Sequence, residues 1–170
     1  MAQSTRTNIK QNYLNPISFK FVIHRLPYTE FFTQAANIPG ISAPPVESPS
    51  PFKNMAFSHD RLEYSDFTIQ VRVDEDMNNY NEIVNWMKGL AFPDQFSQFA
   101  NLDASDEGLY SDATLMVLTN GKNPNIHVIM KDIFPTSLGD IQMNTMAPDV
   151  DFVSVDMTFK VNNMEIRSVT

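Results

Sequence analysis

The stretch "FPTSLGDIQMNTMAPDVDFVSVDMTFKV" occupies positions 134–161, and its second half alternates between apolar and polar side chains. Val153, Val155, Met157, Phe159 and Val161 are apolar, and Ser154, Asp156, Thr158 and Lys160 lie between them. Alternation with a period of two predicts a β-strand with one apolar and one wet face, about 30 Å long at about 3.3 Å per residue. Such a strand can close a barrel within one chain, cover a ligand or join strands from other copies.

Further periodic stretches predict the rest of a mainly β domain. The segments 17–26, 31–42 and 66–73 are interpreted as strands, and Asn120-Gly121 between two β-rich runs predicts a hairpin with a tight turn. Apolar residues at helical spacing predict one helix over 76–90, which Asp76 can cap and Gly89 ends.

Two segments have no periodicity. Residues 1–15 are polar and are interpreted as an N-terminal arm, and residues 41–61 form a long Pro-rich loop whose prolines favour an extended backbone. The sequence therefore predicts a single domain over 1–170, a β-sandwich or partly open barrel with one flanking α-helix and long loops.

The composition excludes several classes of function. Hydrophobic residues make up 42% of the chain and charged residues 19%, which is typical of a globular domain. A net charge of −8 and scattered Lys and Arg argue against a protein that binds nucleic acid through its phosphates. The absence of Cys excludes disulfides and thiol catalysis and suits a reducing cytoplasm, and the polar start is not expected to be a secretory signal.

One segment partly resembles a calcium-binding loop. Asp74, Asp76 and Asn78 occupy the first ligand positions of "DEDMNNYNEIVN". Asn79 replaces the glycine that the sharp bend requires, and Asn85 replaces the bidentate Glu. The acidic residues are therefore interpreted as partners of the helix dipole.

The other reactive residues form no catalytic pattern. His24, His59 and His127 lack the spacing of metal ligands, and no nucleophile elbow or phosphate-binding glycine motif occurs. A glycosidase needs a pair of carboxylates, and the candidates in this sequence are Asp94 with Asp103 and Asp149 with Asp151. All four are predicted to lie in loops, so these pairs alone do not indicate a glycosidase. Trp86 and Phe92 are expected to be core aromatics. We expect no enzyme, no catalytic residues, no cofactor and no metal.

Four segments carry a resemblance to a known family. They are "NIPGIS…PF" (37–52), "Y..FTIQVRVDEDMNNYNEIVNWM" (64–87), "YSDATLMVLTNGKN" (110–123) and "DIFPTSLGDIQMNTMAPDVDFVSVDMTFKVNNMEI" (132–166). In this order they resemble the tail tube protein of contractile-tailed bacteriophages. The resemblance implies hexameric rings that stack into a hollow tube inside a contractile sheath, on a baseplate. It also implies that each subunit lends strands to one barrel lining the channel through which DNA passes without specific binding.

The resemblance makes two sets of residues candidates for function. Candidates to face the channel are Ser154, Asp156, Thr158 and Lys160, or the row Thr68, Gln70 and Arg72. The sequence does not decide between the rows, and without the resemblance each would more simply face outside solvent. Candidates for contacts between subunits are Pro44, Pro45, Pro49, Pro51 and Phe52, together with the N-terminal arm.

Other identities remain open at this point. A tube initiator at the baseplate and a tube-end protein share the fold, although a length of 170 residues without an added domain favours the main tube subunit. A small-ligand-binding β-barrel is the alternative from another class. For a tube subunit, the expected location is the virion tail, after assembly in the host cytoplasm and without a membrane anchor.

Overall fold

The computed structural model describes residues 13–91, 95–103, 108–145 and 152–169, which contain eleven strands and three helices. The strands are β1 (Phe19–Ile23), β2 (Thr33–Ala36), β3 (Ile41–Ser42), β4 (Val46–Ser48), β5 (Met55–Phe57), β6 (Glu63–Tyr64), β7 (Phe67–Arg72), β8 (Ser111–Leu118), β9 (Pro124–Leu138), β10 (Ser154–Lys160) and β11 (Asn163–Ser168). The helices are α1 (Pro27–Phe32), α2 (Asn78–Ala91) and α3 (Ser97–Asp103). The mainly β fold class is confirmed, whereas the expectation of one helix is wrong.

The long strand β9 connects two antiparallel sheets. Up to Ile133 it pairs with β8 on one side and β11 on the other, and Phe134–Leu138 pair with β10. Sheet I therefore consists of β1, β8, the first part of β9 and β11. Sheet II consists of Phe134–Leu138 of β9, then β10, β7 and β2.

The corner between the sheets lies at Asp132, whose φ of 53° is in the left-handed region that Asp tolerates better than most residues. Side chains satisfy the backbone groups of this residue. Its N–H donates to the Asp112 carboxylate at 3.1 Å, and its carbonyl accepts from the Asn162 amide at 3.0 Å. The strand can thus turn from one sheet into the other without leaving these two polar groups unpaired.

The apolar faces of both sheets meet in one core. The rings of Phe21 in sheet I and Phe67 in sheet II lie 5.4 Å apart, and Phe159 lies 6.1 Å from Phe67. Trp86 of α2 packs on the other side of Phe159 at 6.2 Å, and its indole N–H donates to the Leu109 carbonyl at 3.1 Å. These separations are typical of favourable aromatic pairs. Trp86 is a core aromatic as expected, while Phe92 lies outside the described residues.

Helix α2 begins two residues later than predicted and continues past Gly89. Its start depends on Asn79, whose fully buried side chain donates to the Arg72 carbonyl at 2.6 Å and accepts from the Asp74 N–H at 3.3 Å. Asp76 lies two residues before the helix, and the first turn of α2 contains no acidic residue, so the predicted cap at Asp76 is wrong. A Cβ on Gly89 would lie 2.9 Å from the Leu102 side chain, so this glycine permits close packing of α3.

Two other local predictions are corrected. Phe31 and Phe32 belong to α1, which begins with a proline at its first position, and only Thr33–Ala36 of the segment 31–42 pair with β7. The hairpin between β8 and β9 exists, but its residue with positive φ is Lys122 at 61°. This arrangement is a longer loop than the tight turn expected at Asn120-Gly121.

The contact between α1 and α2 places a carboxylate in a partly buried position. Glu82 accepts a hydrogen bond from the Tyr28 backbone N–H in the first turn of α1, and its Oε2 atom has no partner among the described residues. Burial raises the pKa of Glu82 above its usual value of 4.5, and the Tyr28 hydrogen bond opposes this shift.

Truncation of a core side chain tests the assignment of strand faces. Phe159 is 0% exposed between Phe67 and Trp86, so Phe159→Ala should lower the free energy of unfolding of the unassembled subunit by about 3–5 kcal/mol. Ser154→Ala, on the opposite face of β10, should change it by about 0.5 kcal/mol or less. Urea denaturation measures both values, and equal losses would contradict the assignment.

The pKa of Glu82 predicts a pH-dependent stability difference. Because the pKa of Glu82 is raised in the folded state, its ionised form lowers the free energy of unfolding at neutral pH. This loss disappears as the pH falls through the folded-state pKa toward the usual value of 4.5, where Glu82 becomes protonated. Glu82→Gln, which keeps an acceptor for Tyr28, should therefore be more stable than the parent protein at pH 7. The advantage should shrink on acidification, as measured by urea denaturation across this range; a constant difference would contradict the prediction.

Candidate functional site

The two polar rows predicted from the sequence lie side by side on one face of sheet II. In the register between β10 and β7, Ser154 is opposite Arg72, Asp156 is opposite Gln70 and Thr158 is opposite Thr68. Side chains of directly opposite residues in an antiparallel pair point to the same side of the sheet. The candidate channel-facing residues therefore form one surface, here called the polar face, on the side of sheet II opposite the core.

The polar face extends onto the neighbouring strands with small uncharged residues. Ala35 of β2 is opposite Gln70, and Ser137 of β9 is opposite Thr158. A shallow depression of about 350 Å³ lies among Ala35, Asn37, Gln70 and neighbouring residues. The surface is thus a broad, shallow polar sheet rather than a pocket.

Charges on and beside the polar face balance. Lys160 forms an ion pair with Asp66 at 3.0 Å, at the end of the β7–β10 pair. The Arg72 guanidinium lies 3.6 Å from the centre of the Phe152 ring. It also donates to the side-chain oxygen of Gln34 when the Gln34 amide is oriented with that oxygen toward Arg72. With Asp156 this makes two cations and two carboxylates, hence no net charge.

Sheet II has a free edge on each side. Among the described residues, β2 pairs only with β7, and Phe134–Leu138 of β9 pair only with β10. Pro135 lies in the second of these edges, where a residue without an N–H is tolerated. Because each successive pair from β9 to β2 is antiparallel, the two free edges also run antiparallel to each other.

Residues 41–64 form an exposed two-part β-ribbon. This ribbon is here called the arm, and residues 1–15 keep the name N-terminal arm. β3 pairs with β6 at its base and β4 pairs with β5 further out, so the segment predicted as a long extended loop contains two pairs of strands. The ribbon escaped detection because neither of its faces is buried, and an unburied strand need not alternate.

The candidate contact residues of the Pro-rich segment lie on or beside the outer part of the arm, whereas residues 1–12 of the N-terminal arm lie outside the described residues. Pro44 is half-buried, whereas Pro45, Pro49, Pro51 and Phe52 are exposed, and Phe52 at the tip is 98% exposed. Val46 is opposite Phe57, and Ser48 is opposite Met55, so three large apolar side chains share one face of the ribbon. An isolated two-stranded ribbon is marginally stable in water, which indicates that this face needs a covering partner.

Most of the negative charge of the chain lies in one segment of its sequence. The segment 74–107 contains eight acidic residues and one basic residue, Lys88, so it carries −7 of the net charge of −8. The acidic residues are Asp74, Glu75, Asp76, Glu82, Asp94, Asp103, Asp106 and Glu107. Helix α2, which carries Glu82 and Lys88, packs against the core through Ile83 and Trp86, on the side of sheet II away from the polar face. Asp94, Asp106 and Glu107 lie outside the described residues.

The described residues contain no group of three or more His, Asp or Glu side chains that could hold a metal ion. His24 is exposed at the end of β1, His127 lies on β9 and His59 lies on the arm. Of the proposed carboxylate pairs, Asp94, Asp149 and Asp151 lie outside the described residues. No helix within the described ranges is long and apolar enough to span a membrane.

The space between the sheets is filled by side chains. Phe67, Ile69, Met130, Ile133 and Phe159 are each 0% exposed. This packing argues against the alternative of a barrel that holds a small ligand in its interior. A depression of about 640 Å³ at the base of the arm is an open groove.

Sequence reasoning missed three features of these surfaces. Phe152 contacts Arg72 but follows no strand pattern, and no signal in the sequence links the two residues. The extent of the edge strand β2 was not predicted, because the sequence of Phe31 and Phe32 is compatible with a longer strand whereas both residues belong to α1. The ion pair of Lys160 with Asp66 could have been found only from the register of β10 against β7.

Comparison with known proteins identifies similar solved structures. No family model and no curated protein matches the chain. A chain of the PVC sheath–tube complex, an extracellular contractile injection system in its extended state, matches with a TM-score of 0.66 and 11% identity over 94% of each chain. A chain of the tube-terminating cap of the anti-feeding prophage matches with a TM-score of 0.64 and 14% identity, over 99% of this chain and 100% of that one.

A chain of the anti-feeding prophage baseplate matches with a TM-score of 0.59 and 7% identity, over 88% of this chain and 90% of that chain. Likeness at these low identities establishes the fold. The chain has the tube-like fold found in contractile injection systems, which confirms the fold that the sequence resemblance implied.

Proposed function

We propose that this chain is the main tube subunit of a contractile bacteriophage tail. In this proposal six copies form a ring, rings stack within a contractile sheath, and the resulting channel conducts DNA during ejection. The observation that carries the proposal is sheet II, whose wet polar face lies between two free edges of opposite direction. The protein acts as a structural component, without catalysis, cofactor or metal.

Ring closure follows from the two edges. Pairing of β2 in one copy with Phe134–Leu138 in the next would extend sheet II in the same antiparallel sense from subunit to subunit. The contact is heterologous, because it joins different surfaces of the two copies, and a heterologous contact generates a ring when the rotation closes. A closed ring of sheets has no remaining strand edges, which removes the aggregation risk of an open sheet.

The curvature of that ring determines which surface lines the channel. A polar face that points inward meets water, while the apolar face of sheet II stays packed on the core of its own subunit. Six copies with four strands each would give a barrel roughly 40–50 Å across between backbones, from a strand spacing of about 4.8 Å and a tilt of about 40°. Such a barrel is wide enough to pass a DNA duplex, and its neutral lining offers no surplus of cations to the phosphates.

The remaining surfaces fit contacts along the tail. The apolar face of the arm, with Val46, Met55 and Phe57, suits packing against a second copy in the same or the next ring. The surface that carries α2 lies outermost when the polar face points inward, and it is the surface available to a surrounding sheath. The similar chains come from structures described as a sheath–tube complex and a baseplate, which supports both kinds of partner.

A tube-end protein is the second candidate. The match to the tube-terminating cap covers nearly all of both chains and has almost the TM-score of the match to the sheath–tube complex. The two functions differ in how rings propagate, because a main tube subunit stacks without limit and an end protein stops at one ring. Negative-stain microscopy of the purified chain separates them: long tubes of uniform width support the main tube subunit, and single rings support the end protein.

Shortening the arm tests its role in stacking. A variant in which a short Gly-rich turn replaces Val46–Phe57 should form a folded subunit that no longer makes long tubes, because the apolar face is lost. Glu47→Gln combined with Ala56→Ser, on the opposite face of the ribbon, is the matched control and should stack normally. Sedimentation and microscopy give the readout, and tubes of normal length in the shortened variant would refute the role of the arm.

The DNA channel is tested at Asp156, an exposed carboxylate on the polar face. Asp156→Lys should leave tubes intact but slow DNA ejection from whole particles, most strongly at low ionic strength, because each added lysine can bind phosphate. Asp156→Asn should give a smaller effect. An unchanged ejection rate with Asp156→Lys would remove this residue from the channel, and tight binding of duplex DNA by parent tubes at physiological salt would contradict DNA conduction.

A further inference from the structure

Both cations of the polar face already have partners within their own subunit. The Lys160 ammonium lies 3.0 Å from the Asp66 carboxylate and 3.4 Å from the Tyr64 carbonyl. The Arg72 guanidinium is stacked 3.6 Å from the centre of the Phe152 ring. The ion pair occupies an ammonium donor that a phosphate oxygen would otherwise use. A phosphate binds a guanidinium through the N–H groups in its plane, and Gln34 accepts from two of these in Arg72, while the Phe152 ring covers one face.

The carboxylate of Asp156 differs from these cations. It is exposed and has no ion pair or side-chain hydrogen bond among the described residues. The charge that the polar face leaves without a partner is therefore negative, although the face as a whole is neutral. A polyanion near this surface meets one open carboxylate per subunit and two cations that are already engaged.

We propose that Asp66 masks Lys160, and that Phe152 together with Gln34 masks Arg72, so that these cations do not bind the phosphates of DNA passing through the channel. This inference rests on the proposed function. It assigns a function to residues at the ends of the two central strands: Asp66 lies next to β7, and Phe152 precedes β10.

The energetics of exposed ion pairs support this role. Lys160 and Asp66 are each about half exposed, and pairs of this kind contribute little to folding stability. Their main physical effect is local charge compensation, which governs how a nearby phosphate is attracted. In a ring the same pair recurs in every subunit, so an unmasked lysine would place a circle of phosphate-binding sites around the channel.

The experiment uses assembled tubes of the full chain and a fluorescent duplex of about 20 base pairs, comparable to one or two helical turns. Parent, Asp66→Asn and Phe152→Leu tubes are compared by co-sedimentation between 50 and 200 mM salt. Parent tubes should retain little duplex. Each unmasking variant should retain more, with a salt dependence that corresponds to about 3.5-fold weaker binding per contacted phosphate over this range.

Two further variants separate masking from other effects. Glu30→Gln breaks the corresponding partly exposed ion pair with Lys20, which lies between α1 and β1 and outside sheet II, and should retain no more duplex than parent tubes. Adding Lys160→Gln to Asp66→Asn should restore parent behaviour, since the unmasked cation is then absent. A merely structural role of Asp66 would not be reversed in this way.

The outcomes are distinguishable. Equal retention by Asp66→Asn, Phe152→Leu and parent tubes overturns the masking proposal while leaving the tube assignment intact. Failure of Lys160→Gln to reverse Asp66→Asn also overturns it. If the parent chain forms no rings or tubes at all, the proposed function itself fails. If Asp66→Asn alone does not assemble, Phe152→Leu with its reversal by Arg72→Gln decides the question.

Discussion

The antiparallel register between β7 and β10 is the constraint on which the rest of the structure depends. It aligns Phe67 with Phe159 and Val71 with Val155, so every large apolar side chain of the central pair points into the core. The same alignment forces every polar side chain of the pair to the other side. A slip by one residue would bury Asp156 and expose Phe159 together, which makes any other register very unfavourable.

This register leaves sheet II with one unpacked face and two unpaired edges within the described residues. One face is covered by sheet I and α2, but the other face is wet and both edges lack a strand partner among the described residues. A monomer in water would carry this surface as an aggregation risk. Closure with further copies pairs the edges without covering the polar face, because the copies add beside the sheet rather than on it. A ring therefore resolves the edges and keeps a solvated inner surface.

The parts of the fold that the sequence predicts are those where burial is one-sided. Period two in β7 and β10, and the helical spacing around Ile83 and Trp86, follow from contact with a single core. The corner at Asp132 could not be predicted, because its conformation depends on Asp112 and Asn162, which are distant in sequence. The paired strands of the arm were also hidden, since no buried face imposes a pattern on them.

The candidate site was predictable in composition but not in arrangement. The sequence marks Ser154, Asp156 and Thr158 as one row and Thr68, Gln70 and Arg72 as another. The two rows form one face because β10 pairs with β7, two strands far apart in the chain, and no pattern in the sequence predicts this pairing. Charge compensation at Lys160 depends on the same pairing, because it requires Asp66 at the matching end of β7.

The distribution of charge follows from what each kind of surface can tolerate. Opposite residues on a sheet face lie about 4.5–5.5 Å apart, so like charges there repel strongly, and ring symmetry would repeat that repulsion in every subunit. The described residues of the segment 74–107 contribute no strand to sheet II, so their charges are not held at that spacing on the sheet face. The surplus of −7 in this segment and the neutral polar face are thus consistent with one constraint. An acidic chain can line a closed sheet only if its excess charge lies elsewhere, and in this sequence most of it lies in the segment 74–107.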